Sequence, residues 1–323
     1  MNRQRRLFLK RFARLLLFYG LLLSNPLILA GCNLVDDRPV VTAEPALDEY
    51  TPLLATPTAG PTEVRFAIIG DFGTGDDAER AVADLVKSWD VDFVATVGDN
   101  NYYNGKASTI DENIGQFYHE FIYPYKGDYG EGAQVNRFFP ALGGHDWRQP
   151  GALPHLDYFT LPGNERYYDV RQGPVHLFIL DSIDKEPDGV DQDSRQAQWF
   201  RGAIGASDAP WKLVLVHDPP YSSGKTHGSQ ARAQWPYREW GADAVIAGND
   251  HDYERLLVGD LTYFVNGAGG ARLYEFDDAE IIPGSIVRYN DDHGAMLVEA
   301  GASRIVFRFV TVGGETVDEF VLE

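Results

Sequence analysis

The sequence predicts an α/β (α+β) fold in which two packed β-sheets carry helices on their outer faces. In the first part of the chain beyond residue 63, apolar β-rich runs alternate with segments of helical spacing. Several of these runs end abruptly in Gly, Asp, Asn or His. From Leu256 onward, short apolar runs alternate with Gly-rich turns, so this part is mostly β. Such a succession suits two packed layers of sheet.

Composition limits both the size of the fold and its ligands. The chain has 323 residues, of which 44% are hydrophobic and 13% aromatic, enough for one large domain or two small ones with a sizeable core. The formal net charge is -20. An acidic surface repels phosphate backbones, which argues against nucleic acid as the main partner. The single cysteine excludes a disulfide within the chain.

The N-terminus has the layout of an export signal. Met1–Arg14 is strongly basic, and the apolar stretch Leu15–Ala30 that follows is too short to cross a bilayer as a helix. The stretch closes as Leu29-Ala30-Gly31-Cys32, which resembles a bacterial lipobox, in which the cysteine is lipidated. We therefore predict a signal peptide over residues 1–31, lipidation of Cys32, and an exported protein anchored by lipid to the membrane of the cell envelope.

Two export routes remain open for this leader. Arg5-Arg6 resembles a twin-arginine signal, which exports folded cargo, although Gln4 stands where Ser or Thr is usual. The alternative is a generic basic region exported unfolded. Residues 32–62 are rich in Pro, Thr and Ala without periodicity and predict a flexible tether, so that the folded domain occupies residues 63–323.

The first elements of this domain follow from local pattern. A strand over Val64–Ile69 ends in Gly70-Asp71, and Asp76 or Asp77 is placed to cap a helix over Ala78–Lys87. A second buried strand begins at Phe93 and runs to Gly98, and Asp99, two Asn and two Tyr follow it. The remaining predicted elements are a helix around Ile110–Tyr123, strands Arg137–Leu142, Tyr167–Arg171 and Val175–Leu180, a helix Ser194–Ile204, and strands Trp211–Val216 and Ala244–Ala247.

Polar side chains stand at five successive strand ends. They are Asp71, Asp99 with Tyr102, His145 with Asp146, His217, and His251. Singly, such residues are typical of turns, caps and ordinary core or surface histidines. Together they predict a hydrolytic site for two metal ions, because ligands gather at the carboxyl ends of strands and carboxylate with imidazole suits Fe, Zn or Mn.

These segments resemble the motifs of the calcineurin-like metallophosphoesterases and, within them, the purple acid phosphatases. The matching segments are Asp71-Phe72-Gly73, Gly98-Asp99-Asn100-Asn101-Tyr102, Gly144-His145-Asp146, Val214-Leu215-Val216-His217 and Gly248-Asn249-Asp250-His251. The resemblance runs from about Val64 to the C-terminus. It implies a four-layer sandwich of two mixed β-sheets, packed face to face and flanked by helices.

The resemblance also implies a ligand set. Asp71, Asp99, Tyr102 and His251 match the first metal position, with Asp99 bridging and Fe expected beside Tyr102. At the second position, only Asp99 and His217 match.

Two residues depart from the family pattern at this second position. Gly144 replaces an Asn, and Asn249 replaces a His, leaving a weaker amide ligand. We expect one or two bound metal ions, the second held weakly as Mn, Zn, Fe or Mg. Asp218 and Asp250 are candidates to compensate for the lost ligands.

The implied reaction is acid phosphatase-like hydrolysis of a small phosphate monoester by metal-activated hydroxide. His145 would protonate the leaving alkoxide, and Asp146 would orient its ring. The aromatic loop Tyr102–Tyr129 and the segment Trp147–Tyr158 are predicted to form the rim of the pocket. The alternative is a catalytically impaired cell-surface binding protein that retains the fold and one metal ion.

Overall fold

The computed structural model describes residues 61–277 and 279–323, so the predicted signal peptide, Cys32 and all but the last two residues of the predicted tether lie outside the described residues. The strands in chain order are β1 Val64–Ile69, β2 Phe93–Thr96, β3 Phe138–Pro140, β4 Tyr168–Gln172, β5 Val175–Ile179, β6 Trp211–Leu215, β7 Ala244–Ala247, β8 Tyr253–Val258, β9 Leu261–Asn266, β10 Ser285–Tyr289, β11 Gly294–Ala300, β12 Ile305–Thr311 and β13 Thr316–Leu322. The α-helices are α1 Asp77–Ser88, α2 Gln116–Tyr118, α3 Leu153–Tyr158, α4 Arg195–Ala206 and α5 Tyr237–Trp240.

The strands form two mixed sheets. The first has the order β13-β12-β11-β1-β2-β3, and the second has the order β10-β8-β9-β7-β6-β5-β4. In each sheet the strands nearest the site run parallel: β1 with β2 and β3, and β5 with β6 and β7. Parallel strands end at the same edge of a sheet, which brings the segments that follow them together. The predicted pair of mixed sheets is confirmed.

The core lies between the two sheets. Phe66 and Phe307 of the first sheet and Phe264 of the second are at most 1% exposed. The ring centroids of Phe264 and Phe307 are 5.2 Å apart, a direct contact between the layers. Burying an aromatic side chain of this kind contributes about 2–3 kcal/mol, so such contacts hold the two sheets face to face.

The long helices start at residues that cap them. The Asp76 carboxylate accepts hydrogen bonds from the backbone N–H groups of Ala78 and Glu79 and so begins α1. The Ser194 hydroxyl accepts from the N–H of Ala197 at the start of α4. Helix α4 packs Phe200 on the second sheet, and α1 buries Val82 and Val86 against the first.

Some helical segments differ from the prediction. The helix expected around residues 110–123 is divided into a π-helical turn (Asp111–Gly115), α2, and a 3-10 turn (His119–Phe121). Helices α3 and α5 were not predicted, because each spans fewer than two turns and shows no periodic apolar pattern. Among the described residues, the helices all lack the length and apolar character that crossing a bilayer requires.

Candidate metal centre

The carboxyl ends of β1, β2, β6 and β7 meet at one place. Asp71 and Asp99 follow β1 and β2, His217 follows β6, and His251 lies in the turn after β7. Ligand atoms of Asp71, Asp99 and His217 lie within 4.8 Å of one another, and all three residues are buried. Residues far apart in the chain therefore converge as the sequence predicted.

Strained backbone marks this edge of the sheets. Asp71, Asp99 and Asn249 adopt left-handed conformations, with φ of 56°, 54° and 69°. Such conformations are unfavourable for residues other than glycine and persist only where surrounding contacts hold them. The Asn249 N–H donates to Asp71 Oδ2 at 2.9 Å. At Gly98, where φ is 98°, a Cβ atom would stand 2.6 Å from His217 Nδ1, so the close approach requires glycine.

Three other predicted ligands surround the hydroxyl of Tyr102. This oxygen lies 3.3 Å from Asp71 Oδ1, 3.1 Å from Asp99 Oδ2 and 3.0 Å from His251 Nε2. His251 Nε2 is 3.4 Å from Asp71 Oδ1. Among residues 61–277 and 279–323, no Lys or Arg pairs with either buried carboxylate. Three oxygens and one nitrogen, without a Lys or Arg counter-charge on the two carboxylates, fit a metal cation.

The three imidazoles of the site share one orientation. Each donates its Nδ1–H to a backbone carbonyl and thereby turns Nε2 toward the carboxylates, a common arrangement for metal-binding histidines. The pairs are His251 with Arg272 at 2.8 Å, His217 with Val97 at 2.9 Å, and His145 with Tyr103 at 2.7 Å. Within the described residues, the buried Nε2 of His217 has no hydrogen-bond partner, although it lies 3.5 Å from Asp99 Oδ1. This atom is therefore available as a ligand.

The pKa values at the site show that its carboxylates stabilise a nearby positive charge. Burial disfavours a charged His217, yet the carboxylates of Asp99, Asp71 and Asp218 raise its pKa to about 9. Burial alone would raise the pKa of Asp99, but His217 and His145 hold it below its ordinary value. Burial and the charges of Asp99 and Asp71 raise the pKa of Tyr102 well above its ordinary value. A phenolate ligand therefore requires a strongly acidic cation such as ferric iron.

The second metal position does not fit a metal ion in the same way. Gly144 supplies no ligand atom. The Asn249 amide donates from Nδ2 to Asp218 Oδ1 at 2.9 Å, and Arg232 Nη2 donates to Asp218 Oδ2 at 2.6 Å. Both Asp218 oxygens are thus engaged. Of the predicted ligands to this position, Asp99 and His217 have suitable atoms in place.

Asp218 and Asp250, the candidates to compensate for the lost ligands, both have other partners. Asp218 is engaged as described, and Asp250 is fully buried in a different network. Its carboxylate accepts hydrogen bonds from the N–H groups of His227 and Gly228, both at 2.9 Å, and from the hydroxyl of Ser222 at 2.6 Å. Asp250 therefore fixes the loop after β6 and takes no place at the metal centre.

His145 stands beside the first metal position. Its backbone N–H donates to Asp99 Oδ1 at 2.8 Å, and its Nε2 lies 3.8 Å from Asp99 Oδ2. Its ring rests against Tyr102, with centroids 4.2 Å apart. The side chain is 20% exposed, so the ring both faces the ligands and reaches solvent. This placement suits a proton donor to a substrate at the metal centre.

Asp146 does not orient His145, contrary to the sequence-based prediction. Its Oδ2 accepts from the N–H of Gly143 at 2.9 Å and from the N–H and Nδ2 of Asn100 at 3.2 and 2.8 Å. The Tyr103 carbonyl holds the His145 ring instead. Burial, with the charge of Asp99, raises the pKa of Asp146 to about 7. Asp146 therefore positions the loops that follow β2 and β3.

The predicted rim is only partly correct. Tyr103 is 69% exposed and stands beside His145, with ring centroids 6.2 Å apart. Trp147 lines an adjacent cavity of about 530 Å³ although it is 4% exposed. Tyr118 and Tyr158, in contrast, are buried in the hydrophobic core. Aromatic composition alone does not separate rim from core.

Several residues that build the site were not identified from the sequence. Asn113 donates to the carbonyl of Tyr102 at 3.0 Å, and the Tyr274 ring stacks on His251 at a centroid distance of 3.9 Å. Asn100 belongs to the motif Gly98–Tyr102, so its position directly after β2 could have indicated a role at the site. Arg232, Asn113 and Tyr274 lie in or beside irregular segments and carry no such pattern.

The chain is similar in sequence to known phosphoesterases. Residues 64–253 match the family model described as calcineurin-like phosphoesterase. The chain is 26% identical to purple acid phosphatase 22 of Arabidopsis thaliana over 204 residues, which cover 60% of this chain and 45% of the relative. It is 25% identical to purple acid phosphatase 17 of the same plant over 299 residues, covering 82% and 86%. The chain spans about half the length of several of the curated relatives it matches.

A solved structure shares the fold. The purple acid phosphatase from yellow lupin (Lupinus luteus) seeds superposes with a TM-score of 0.66 at 18% identity, covering 80% of this chain and 53% of that one. This likeness shows the two-sheet sandwich with its flanking helices. Because the family model matches more than half of the chain and spans the segments that carry the site, the protein belongs to the calcineurin-like phosphoesterase family.

Proposed function

We propose that this protein is a metal-dependent phosphatase that hydrolyses small phosphate monoesters. The observation that carries this proposal is the convergence of Asp71, Asp99, Tyr102 and His251 around one point, with His145 beside them. A cation held there supplies Lewis acidity that polarises a phosphoryl oxygen and lowers the pKa of water. The relatives named purple acid phosphatases support the same substrate class.

His145 serves as the general acid in this proposal. Its Nδ1–H is committed to the Tyr103 carbonyl at 2.7 Å, so Nε2, which lies 3.5 Å from the donor Arg148 Nη2, is the atom that must gain the proton and transfer it. Because the leaving alkoxide must be protonated as it departs, a positioned imidazole accelerates substrates with poor leaving groups most. Asp99 holds the backbone of His145 and so couples the acid to the metal centre.

Turnover by the metal-loaded full chain tests the proposal. We expect hydrolysis of an aryl phosphate that requires added metal, is strongest with Mn, and is lost in Asp99→Asn. His145→Asn should lower the rate for an alkyl phosphate by about 10²- to 10⁴-fold and affect a nitrophenyl phosphate much less. Folded protein that turns over neither substrate with Mn, Zn, Fe or Mg would contradict the proposal.

A second candidate is a binding protein that retains the fold and one metal ion without catalysis. The observation that favours it is the altered second position, where Gly144, Asn249 and the engaged Asp218 leave two matching ligands. This candidate predicts that inorganic phosphate binds the metal-loaded chain while no phosphate ester is turned over. Metal-dependent turnover excludes it.

We also propose that the domain works in the cell envelope, lipid-anchored to the membrane through Cys32. The support is the order of a basic segment, a short apolar segment and the segment Leu29–Cys32. Cys32→Ser should move the protein from the membrane fraction to the soluble envelope fraction. Equal membrane retention of both forms would contradict lipid anchoring at this residue.

A further inference from the structure

Arg232 brings a guanidinium to the second metal position. It lies on the 3-10 turn Ala231–Ala233 and lines the same cavity, about 320 Å³ in volume, as His217, Gly144 and Asn249. Its Nη2 donates to Asp218 Oδ2 at 2.6 Å, and its Nε donates to the carbonyl of Ser182 at 3.2 Å. Two hydrogen bonds from different nitrogens fix the plane of the guanidinium against the cavity wall.

Asp218 forms an ion pair with this arginine and does not lie free to ligate a metal ion. Its side chain is 4% exposed, and its second oxygen accepts the amide of Asn249 at 2.9 Å. A carboxylate with both oxygens engaged is poorly disposed to ligate a metal ion. Because Arg232 neutralises the Asp218 carboxylate, that carboxylate attracts a second cation less strongly.

The guanidinium retains donors for a ligand. The Arg232 side chain is 38% exposed. Within residues 61–277 and 279–323, its Nη1 group has no hydrogen-bond partner, whereas Nε and Nη2 each have one. Lys185 and Asp184 line the same cavity, and Lys185 Nζ donates to the carbonyl of Trp147 at 2.9 Å. In a protein of formal net charge -20, the cations Arg232 and Lys185 partly offset repulsion of an anionic substrate, against the nearby carboxylate of Asp184.

We propose that the site works with one metal ion and that Arg232, anchored by Asp218, takes the place of the second cation by binding phosphoryl oxygens. The planar guanidinium matches the geometry of a phosphate group, which it binds through parallel N–H···O hydrogen bonds. The inference rests on the proposed function for the identity of its ligand, a phosphoryl dianion. Beyond the proposed function, it specifies that the centre holds one metal ion and that Arg232 binds the phosphate.

Metal content and phosphate affinity test this inference without reference to turnover. Metal analysis of the loaded full chain should give one ion per chain. Calorimetry with inorganic phosphate should show binding to the loaded protein that Arg232→Gln weakens by about tenfold to a hundredfold. The matched control is Arg238→Gln, which removes another arginine, one paired to Asp260 at 3.3 Å and outside the lining of this cavity, and should leave affinity unchanged.

A second variant guards against misfolding, because Arg232→Gln leaves the buried Asp218 without its counter-charge. The pair Asp218→Asn with Arg232→Gln removes both charges and should weaken phosphate binding equally. Two metal ions per wild-type chain, or full phosphate affinity in both variants, would overturn the inference even if the protein is an active phosphatase. One ion per chain with phosphate binding that depends on Arg232 supports the inference, even if turnover is absent and the proposed function fails.

Discussion

The side-chain amide of Asn249 donates a 2.9 Å hydrogen bond to Oδ1 of Asp218. The family resemblance places a metal-binding imidazole at this position, and in this chain the same position instead completes the anchor of Arg232. Asn249 stands on left-handed backbone, with φ of 69°, which Asn and His both tolerate better than most residues. The backbone at this turn therefore permits either residue, and the side chain decides between a metal ligand and a hydrogen-bonded network.

Restoring the lost ligands should restore the second metal ion. Gly144→Asn is sterically open, because a Cβ at this residue meets no atom within 4 Å. The double variant Gly144→Asn with Asn249→His should take up a second ion only at raised metal concentration, since Arg232 still neutralises Asp218. Adding Arg232→Gln should lower the concentration required. Metal content per chain against added Mn measures this, and a second ion that binds equally with and without Arg232 would contradict the explanation.

Tyr102→Phe tests ligation by the phenol. The Tyr102 oxygen lies within 3.3 Å of atoms from three other predicted ligands, so its loss should weaken metal binding by about tenfold or more. Iron-loaded wild-type protein should show a visible charge-transfer band that the variant lacks. Tyr103→Phe is the matched control, because that ring is 69% exposed. A visible band that survives Tyr102→Phe would exclude the phenol as its source.

The first metal position could be predicted from sequence because its ligands belong to short segments that directly follow strands. Asp71 and Asp99 are fixed by the ends of two adjacent parallel strands, so strand pattern alone places them together. The capping of α1 by Asp76 followed from equally local chemistry. Where residues adjacent in sequence determine the geometry, the sequence pattern is sufficient to predict it.

The sequence identified the altered residues of the second position but not their contacts, because these contacts join segments through irregular backbone. Arg232 reaches Asp218 from a turn fourteen residues away that carries no periodic signal. The orientation of His145 depends on the carbonyl of Tyr103, and any residue type presents a carbonyl. Adjacency in sequence suggested Asp146 for this role, whereas the bend after β3 turns its carboxylate toward Asn100.

Substitutions at Asp146 distinguish positioning from catalysis. Asp146→Leu leaves three N–H donors of Gly143 and Asn100 without an acceptor and should lower the free energy of unfolding by about 1–3 kcal/mol. Asp146→Asn retains an acceptor oxygen and should lower the free energy of unfolding by less. The rates of Asp146→Asn on alkyl and aryl phosphates should fall by the same factor, unlike those of His145→Asn. A selective loss on alkyl phosphates would restore Asp146 to the proton-transfer machinery.

His155 should make the fold sensitive to acid. It is 2% exposed on α3, and among the described residues neither ring nitrogen has a hydrogen-bond partner. Burial lowers its pKa to about 3. Below the ordinary histidine pKa of about 6.5 the unfolded chain takes up a proton that the folded chain refuses. Stability is therefore lost as the pH falls from about 6.5 toward 3, by about 2–3 kcal/mol at pH 4.5.

His155→Leu removes this titrating group and retains most of the volume. Urea unfolding should show the variant gaining stability over the wild type by about 2–3 kcal/mol more at pH 4.5 than at pH 7.5. Phe200→Leu is the control, because it alters a fully buried ring of a different hydrophobic cluster without changing a titrating group. Its effect should be equal at both pH values. If His155→Leu also gives equal effects, the folded chain accommodates a protonated His155, and the acid sensitivity of the fold lies elsewhere.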